Sequence, residues 1–268
     1  MEPGIMLYID CEVGLEEQIQ TLAEAGIKKT FINNKCPDMG RIMELMKQYG
    51  IVCEFFHSHF KMTADGKTIV IDDLCQPGKK GEQMLEQLKR DVLACVTYRV
   101  PTLVVHIPHN ETALEENACC KRRYQELYAF AEQNGVTLAF ENMHHMENLD
   151  YIFSLLPEAK FCWDCGHQYC RTPEAEPMEQ YGRKVAALHI HDNHMQADEH
   201  LIPFEGLIDF HKVAHALAES GYDGALMLEI KYRGEYARTM SYQEYTAKAV
   251  GAARQIIDLV EQYRQAAS

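Results

Sequence analysis

A repeated order constrains this chain more than any other feature: a short apolar run, then a helical pattern that stops at a glycine. Ile5 to Ile9 reads as a buried strand, and Leu15, Ile19, Leu22 and Ala23 mark a helix face ending at Gly26. The scheme repeats. Thr30 to Ile32 is a second strand, Ile42, Leu45, Met46 and Tyr49 share one helix face, and Gly50 ends that helix. Further strands are expected at Ile51 to Phe56, Thr102 to Val105, Val136 to Phe140, Ala159 to Trp163, Val185 to Ile190 and Ala225 to Leu228. Helical patterns separate them, among them Leu85, Leu88, Val92 and Cys95, then Tyr124, Leu127, Tyr128 and Ala131, and finally Phe210 to Leu217 and Ala249 to Tyr263. Eight such strands alternating with helices require parallel pairing through right-handed crossovers, and that number closes without an exposed edge.

The expected fold class is therefore α/β, a (β/α)8 TIM barrel. The 268 residues are close to the roughly 250 of one such barrel, so a single domain over 1–268 is expected. An open doubly wound sheet is the competing arrangement. Against it, no Gly-x-Gly-x-x-Gly turn follows any strand, and no nucleotide cofactor is expected.

The N-terminus lacks a basic segment followed by an apolar run, and no stretch approaches the ~18 apolar residues of a membrane span, which points to the cytoplasm and no membrane partner. A formal charge of −14 opposes tight binding to nucleic acid. Homo-oligomerisation is left open. Ten cysteines scattered through apolar runs of a chain without an export signal are expected to be mostly reduced and buried.

The functional signal is positional. Ligand-type residues sit where the apolar runs end, on the face where barrels build their sites: Phe56-His57-Ser58-His59, Val105-His106, Phe140-Glu141-Asn142, Trp163-Asp164-Cys165-Gly166-His167, Leu188-His189-Ile190-His191-Asp192 and Leu228-Glu229. Carboxylates converging on one barrel mouth repel one another and are costly to bury, and a divalent cation resolves both problems. Mixed imidazole and carboxylate donors suit Zn²⁺, Mn²⁺, Fe²⁺ or Co²⁺ better than Ca²⁺ or Mg²⁺, and the donor set does not choose among the first four; Mn²⁺ or Zn²⁺ is the expected cofactor, with Co²⁺ or Fe²⁺ as alternatives.

These residues resemble the xylose-isomerase-like barrels, which include sugar phosphate isomerases and epimerases, ketose 3-epimerases and abasic-site endonucleases of the endonuclease-four type. The resemblance rests on Glu141-Asn142, Asp164-x-x-His167, His189 through Asn193, Asp198-x-His200, the Pro203-Phe204-Glu205-Gly206 to Asp209 segment, and Glu229. It implies one metal on Glu141, Asp164, His189 and Glu229, with the two glutamates also carrying protons and His167 orienting the substrate. The endonuclease branch adds ligands that resemble His57, His106, His167, Asp198 and His200, so these are expected as further metal or substrate contacts. Lys231 and Arg233, just past Glu229, are candidates for substrate binding and equally for solvated surface charges.

The implied activity is a metal-dependent isomerase or epimerase of a small sugar, sugar phosphate or sugar acid, with proton transfer through a metal-stabilised enediolate. A lyase or dehydratase of a polyhydroxy carbonyl compound is the first alternative; a multi-zinc phosphodiesterase is the second, opposed by the acidic balance. His59, His109, His191, His194, His211 and His215 are read as structural. Cys162-x-x-Cys165 lies across a strand end and carries no redox expectation, and Cys119-Cys120 is read as incidental on a helix.

Overall fold

The computed structural model describes residues 1–9, 11–34, 36, 38–109 and 117–267. Its strands are β1 (Pro3–Ile5), β2 (Lys29–Asn33), β3 (Val52–His57), a hairpin of β4 (Lys61–Ala64) and β5 (Lys67–Val70), then β6 (Thr102–His106), β7 (Thr137–Glu141), β8 (Lys160–Asp164), β9 (Val185–His189) and β10 (Leu226–Leu228). The helices are α1 (Leu15–Glu24), α2 (Met39–Gln48), α3 (Lys79–Tyr98), α4 (Ala118–Gln133), α5 (Met146–Leu155), α6 (Cys165–Arg171), α7 (Pro177–Tyr181), α8 (Phe210–Ser220), α9 (Glu235–Thr239) and α10 (Tyr242–Ala266).

Eight parallel strands lie in the order β10-β1-β2-β3-β6-β7-β8-β9. The ends meet through a parallel bridge between Ile190 and Leu228, where Ile190 N donates to Met227 O (2.9 Å) and Glu229 N to Ile190 O (3.0 Å). The sheet thus curls into a barrel with helices between its strands, as the alternating pattern predicts. The helix faces read from periodicity are the buried ones: Leu85, Leu88, Val92 and Cys95 of α3, and Tyr124, Leu127 and Ala131 of α4. Each large apolar side chain so buried contributes about 1.5–3 kcal/mol. Side-chain caps set the helix starts: Asp38 accepts from Arg41 N, Asp209 from His211 N, and Ser241 and Glu244 form a capping box on α10. No helix among the described residues is long and apolar enough to cross a membrane.

Three local features depart from the sequence reading. The first strand, expected to Ile9, ends at Ile5; after Met6 N and Leu7 N bond to Leu228 O and Phe31 O, the apolar run leaves the sheet to line a cavity. The β4–β5 hairpin was not anticipated, although Asp65-Gly66, both at positive φ (51° and 68°), is the Asp-Gly signal of a two-residue hairpin turn. Eight cysteines are free as expected, but Cys120 is not incidental: the short helix Ile71–Cys75 packs on α4, and Cys75 and Cys120 are joined in a disulfide.

Candidate metal centre

The ligand-type residues end β3, β6, β7, β8 and β9 as His57, His106, Glu141, Asp164 and His189, while Glu229 follows β10 directly; all six are buried. Parallel strands place these C-terminal ends on one rim, so residues 172 positions apart in sequence (229 − 57) share a single mouth. Within it, Glu141, Asp164, His189 and Glu229 offer ligand atoms all within 4.8 Å of one another. His189 Nδ1 lies 3.3 Å from Glu141 Oε1 and 3.3 Å from Glu229 Oε2.

Glu141 joins this group to a second one. Its Oε2 is 3.3 Å from His57 Nε2 and 3.4 Å from His106 Nε2, and its Oε1 is 3.2 Å from His167 Nδ1. Asp164 has two duties. One oxygen caps α6 by accepting from His167 N (2.7 Å), and the other faces the cluster. Asn142 fixes the two strand ends against each other, its amide donating to Asp164 O and accepting from Asp164 N, each at 2.8 Å.

A third group comes from the 193–208 loop after β9. Asp198 Oδ2 lies 2.9 Å from His200 Nε2 and 3.7 Å from His167 Nε2. His191, left outside the site by the sequence reading, lies within this group: its Nε2 is 3.2 Å from Asp164 Oδ1 and 3.5 Å from Asp198 Oδ1. The signal was present, because residues two apart on an extended segment share a face and His189 was already placed. Asp192 holds the loop: its side chain accepts from Asn193 N, Gly206 N and Ile208 N, and its backbone bridges Leu201. Gly206 has no alternative, since a Cβ there would stand 2.4 Å from Asn193 O. His200 adopts a left-handed backbone (φ 56°), a conformation that L residues hold only where their surroundings dictate it.

Backbone carbonyls set the imidazole tautomers. A carbonyl only accepts, so the contacts of His57 Nδ1 with Ser58 O (3.0 Å), His167 Nδ1 with Asn142 O (3.1 Å) and His200 Nδ1 with Glu229 O (2.9 Å) place the proton on Nδ1. Each Nε2 then faces the cluster and, once deprotonated, offers it a lone pair, the arrangement a metal-binding imidazole adopts.

Burial alone would raise the Glu141 and Glu229 carboxyls. The charges of His189 and His106 outweigh it and hold Glu141 well below the usual carboxylate range; His189 and His200 bring Glu229 down to about 2. Burial likewise opposes protonation of His167, His189 and His191, yet all three are raised, His189 by Cys162 with Glu229 and Glu141, and the other two by neighbouring carboxylates. Burial wins only at His106, which is lowered to about 4. Negative charge gathered here thus draws in protons as counter-charge. Even so, among the described residues, Glu141 Oε2, Asp164 Oδ2, Asp198 Oδ1, His191 Nε2 and both His189 nitrogens are buried without a hydrogen-bond partner. So many orphaned donor atoms in one cluster fit a divalent cation and could hold one.

A cavity of about 380 Å³ opens over the cluster. Met6, Leu7, Tyr8, Ile9 and Phe60 give it an apolar wall, with Phe60 stacked on His106 (4.6 Å between centroids), and Lys231 and Arg233 also line it. Five of the other seven histidines are engaged elsewhere: His59 with Asp91, His109 with Asp72, His194 with Glu199, His211 with Tyr263 and His215 with Glu219. Cys162 and Cys165 are free, buried thiols pushed up by burial, as expected of structural cysteines.

Comparison with known proteins agrees with this architecture. The uncharacterized protein y4fM of Sinorhizobium fredii is 26% identical over 163 residues, 54% of this chain and 52% of that protein. The uncharacterized protein MJ1311 of Methanocaldococcus jannaschii is 31% identical over 122 residues, 40% of this chain and 41% of that protein. The chain thus spans about half the length of the curated relatives it matches. Among solved structures, an L-ribulose 3-epimerase superposes with a TM-score of 0.74 at 16% identity, covering 100% of this chain and 97% of that one. A D-tagatose 3-epimerase-like protein gives 0.70 at 19%, with both chains covered completely. The IOLI protein, solved with a zinc atom, gives 0.72 at 18%, covering 98% and 99%. Residues 31–257 match the family model described as xylose isomerase-like TIM barrel, and the chain belongs to that family.

Proposed function

We propose that this chain is a divalent-metal-dependent isomerase or epimerase of a small sugar, sugar phosphate or sugar acid. One observation carries the reading: Glu141 and Glu229 flank His189 at 3.3 Å each, both buried and both lining one cavity. The names of the 3-epimerases of like fold support the substrate class.

Glu141, Asp164, His189 and Glu229 would hold the cation. When bound, it would polarise a carbonyl and the adjacent hydroxyl and acidify the neighbouring C–H. The chain's own groups do the rest. One glutamate takes the proton from one face of that carbon and the other delivers a proton to the opposite face, which inverts the centre; return to the adjacent carbon isomerises it. Both are held ionised near neutral pH, as a base must be. His167 orients a substrate oxygen, and the wall of Met6, Leu7, Ile9 and Phe60 limits the access of water.

The test is solvent exchange. Ketoses and sugar acids incubated with Mn²⁺-loaded protein in D₂O are expected to gain deuterium next to the carbonyl, and Glu141→Gln to abolish the gain. Undiminished exchange in Glu141→Gln with full metal content would displace the assignment. A second reading, multi-metal hydrolysis of a phosphodiester, is favoured by the His57–His106 pair on Glu141 and the Asp198 group, which supply donors beyond a single cation. It requires two or three zinc ions per chain by mass spectrometry on the order expected for such sites, and cleavage of abasic-site DNA above a metal-only control.

A further inference from the structure

Lys231 and Arg233 stand in the loop between β10 and α9, two and four residues past Glu229. They line the cavity over the cluster and also a second, outer cleft of about 630 Å³, so they belong to the boundary between the two. Lys231 is half-buried and Arg233 exposed. Among the described residues, no carboxylate comes within 4.0 Å of either cation. That is unexpected in a chain with 40 Asp and Glu against 26 Lys and Arg. Of the other carboxylates lining the outer cleft, Glu205 is committed to Lys248 and Tyr236, Glu199 to His194 and Asp198 to His200, while Glu235 is exposed.

Polarity therefore runs along the cavity, from a floor of carboxylates to an outer edge carrying two unpaired cations. A substrate with an anionic end is repelled from the floor and attracted at the edge. We propose that Lys231 and Arg233 form an anion subsite for the terminal phosphate or carboxylate of a polyhydroxy carbonyl substrate whose reacting end lies between Glu141 and Glu229. The assignment rests on the proton-transfer reading and narrows its substrate class to an anionic sugar derivative. The guanidinium suits two-pronged contact with an oxyanion, and the ammonium serves as a point charge.

The experiment is calorimetric titration of the full chain, loaded with Mn²⁺, using matched probes: D-fructose 6-phosphate against D-fructose, and D-gluconate against D-sorbitol. In at least one pair the anion is expected to bind about tenfold or more tightly than its neutral partner, the scale of one charge-assisted contact. The pair that shows the preference distinguishes phosphate from carboxylate. Lys231→Gln/Arg233→Gln is expected to reduce the preference to near parity without weakening the neutral probe, and Arg233→Glu, at an exposed position, to do so alone. Absence of preference in both pairs, or a preference that survives both variants, overturns the subsite. Because binding is read and not turnover, a preference with no deuterium exchange would keep the subsite and discard the isomerase.

Discussion

His57 and His106, from neighbouring strands, meet Nε2 to Nε2 at 3.0 Å, and both nitrogens lie against Glu141 Oε2. With the proton of His57 held on Nδ1 by Ser58 O, its Nε2 presents a lone pair to the other ring. A cation between them would satisfy both imidazoles and Glu141 Oε2, which among the described residues accepts no hydrogen bond. In the double variant His57→Ala/His106→Ala, zinc content by mass spectrometry is expected to fall by about one ion per chain, with the Glu141, Asp164, His189 and Glu229 group still loaded. Unchanged content removes this second position.

The same cluster predicts how metal-free stability varies with pH. His167, His189 and His191 are raised above 6.5, so their contribution is fully present below pH 6.5 and is lost as pH rises through the raised folded values. Glu141 and Glu229 are depressed, and theirs is present above pH 4.5 and lost as pH falls, for Glu229 toward about 2. His106, lowered to about 4, costs stability as pH falls from 6.5. Melting of the chelated protein is therefore expected to peak near pH 6 and decline toward pH 9. Zinc should abolish the alkaline decline and release protons on binding, measurable by calorimetry in buffers of different ionisation enthalpy. A melting temperature flat from pH 6 to 9 contradicts the assignment.

Gly166 allows His191 to occupy its place, since a Cβ there would lie 1.8 Å from His191 Cε1. Gly166→Ala must push the ring away or shift the turn into α6. We expect a loss of about 1–3 kcal/mol in urea unfolding and weaker metal binding at Asp198 and His200. Wild-type behaviour on both counts would mean that the ring moves freely.

Asp91, on α3 and buried, organises the segment after β3. It accepts from His59 N and from His59 Nδ1, both at 2.8 Å, from Gln87 Nε2 at 2.9 Å and from Asn34 Nδ2 at 3.0 Å. Asp91→Ala strands those donors and is expected to cost about 3–5 kcal/mol. Asp91→Asn should cost less and mainly speed amide exchange at Ser58 and His59.

The barrel and the central group were legible because both follow from strand ends. A carboxylate or imidazole that closes an apolar run lands on the rim wherever the run lies in the sequence, which located Glu141, Asp164, His189 and Glu229. Asp198 and His200 sit on a loop with no periodicity, and only their resemblance to a family pattern singled them out. His191 was passed over because histidines were weighed one at a time, when its two-residue spacing from His189 was the informative fact. The Cys75–Cys120 contact spans 45 positions and depends on how a short helix packs on α4, which local patterns do not encode.

The narrow seam of the barrel has a kinetic consequence. β9 and β10 are joined by the Ile190–Leu228 bridge; His189 directly precedes Ile190 and Glu229 directly follows Leu228. Any ion gripped by that imidazole and that carboxylate spans the seam as a rivet spans two plates. Loading such an ion is therefore expected to slow amide exchange along the seam, at Ile190 N and Glu229 N, relative to the chelated protein.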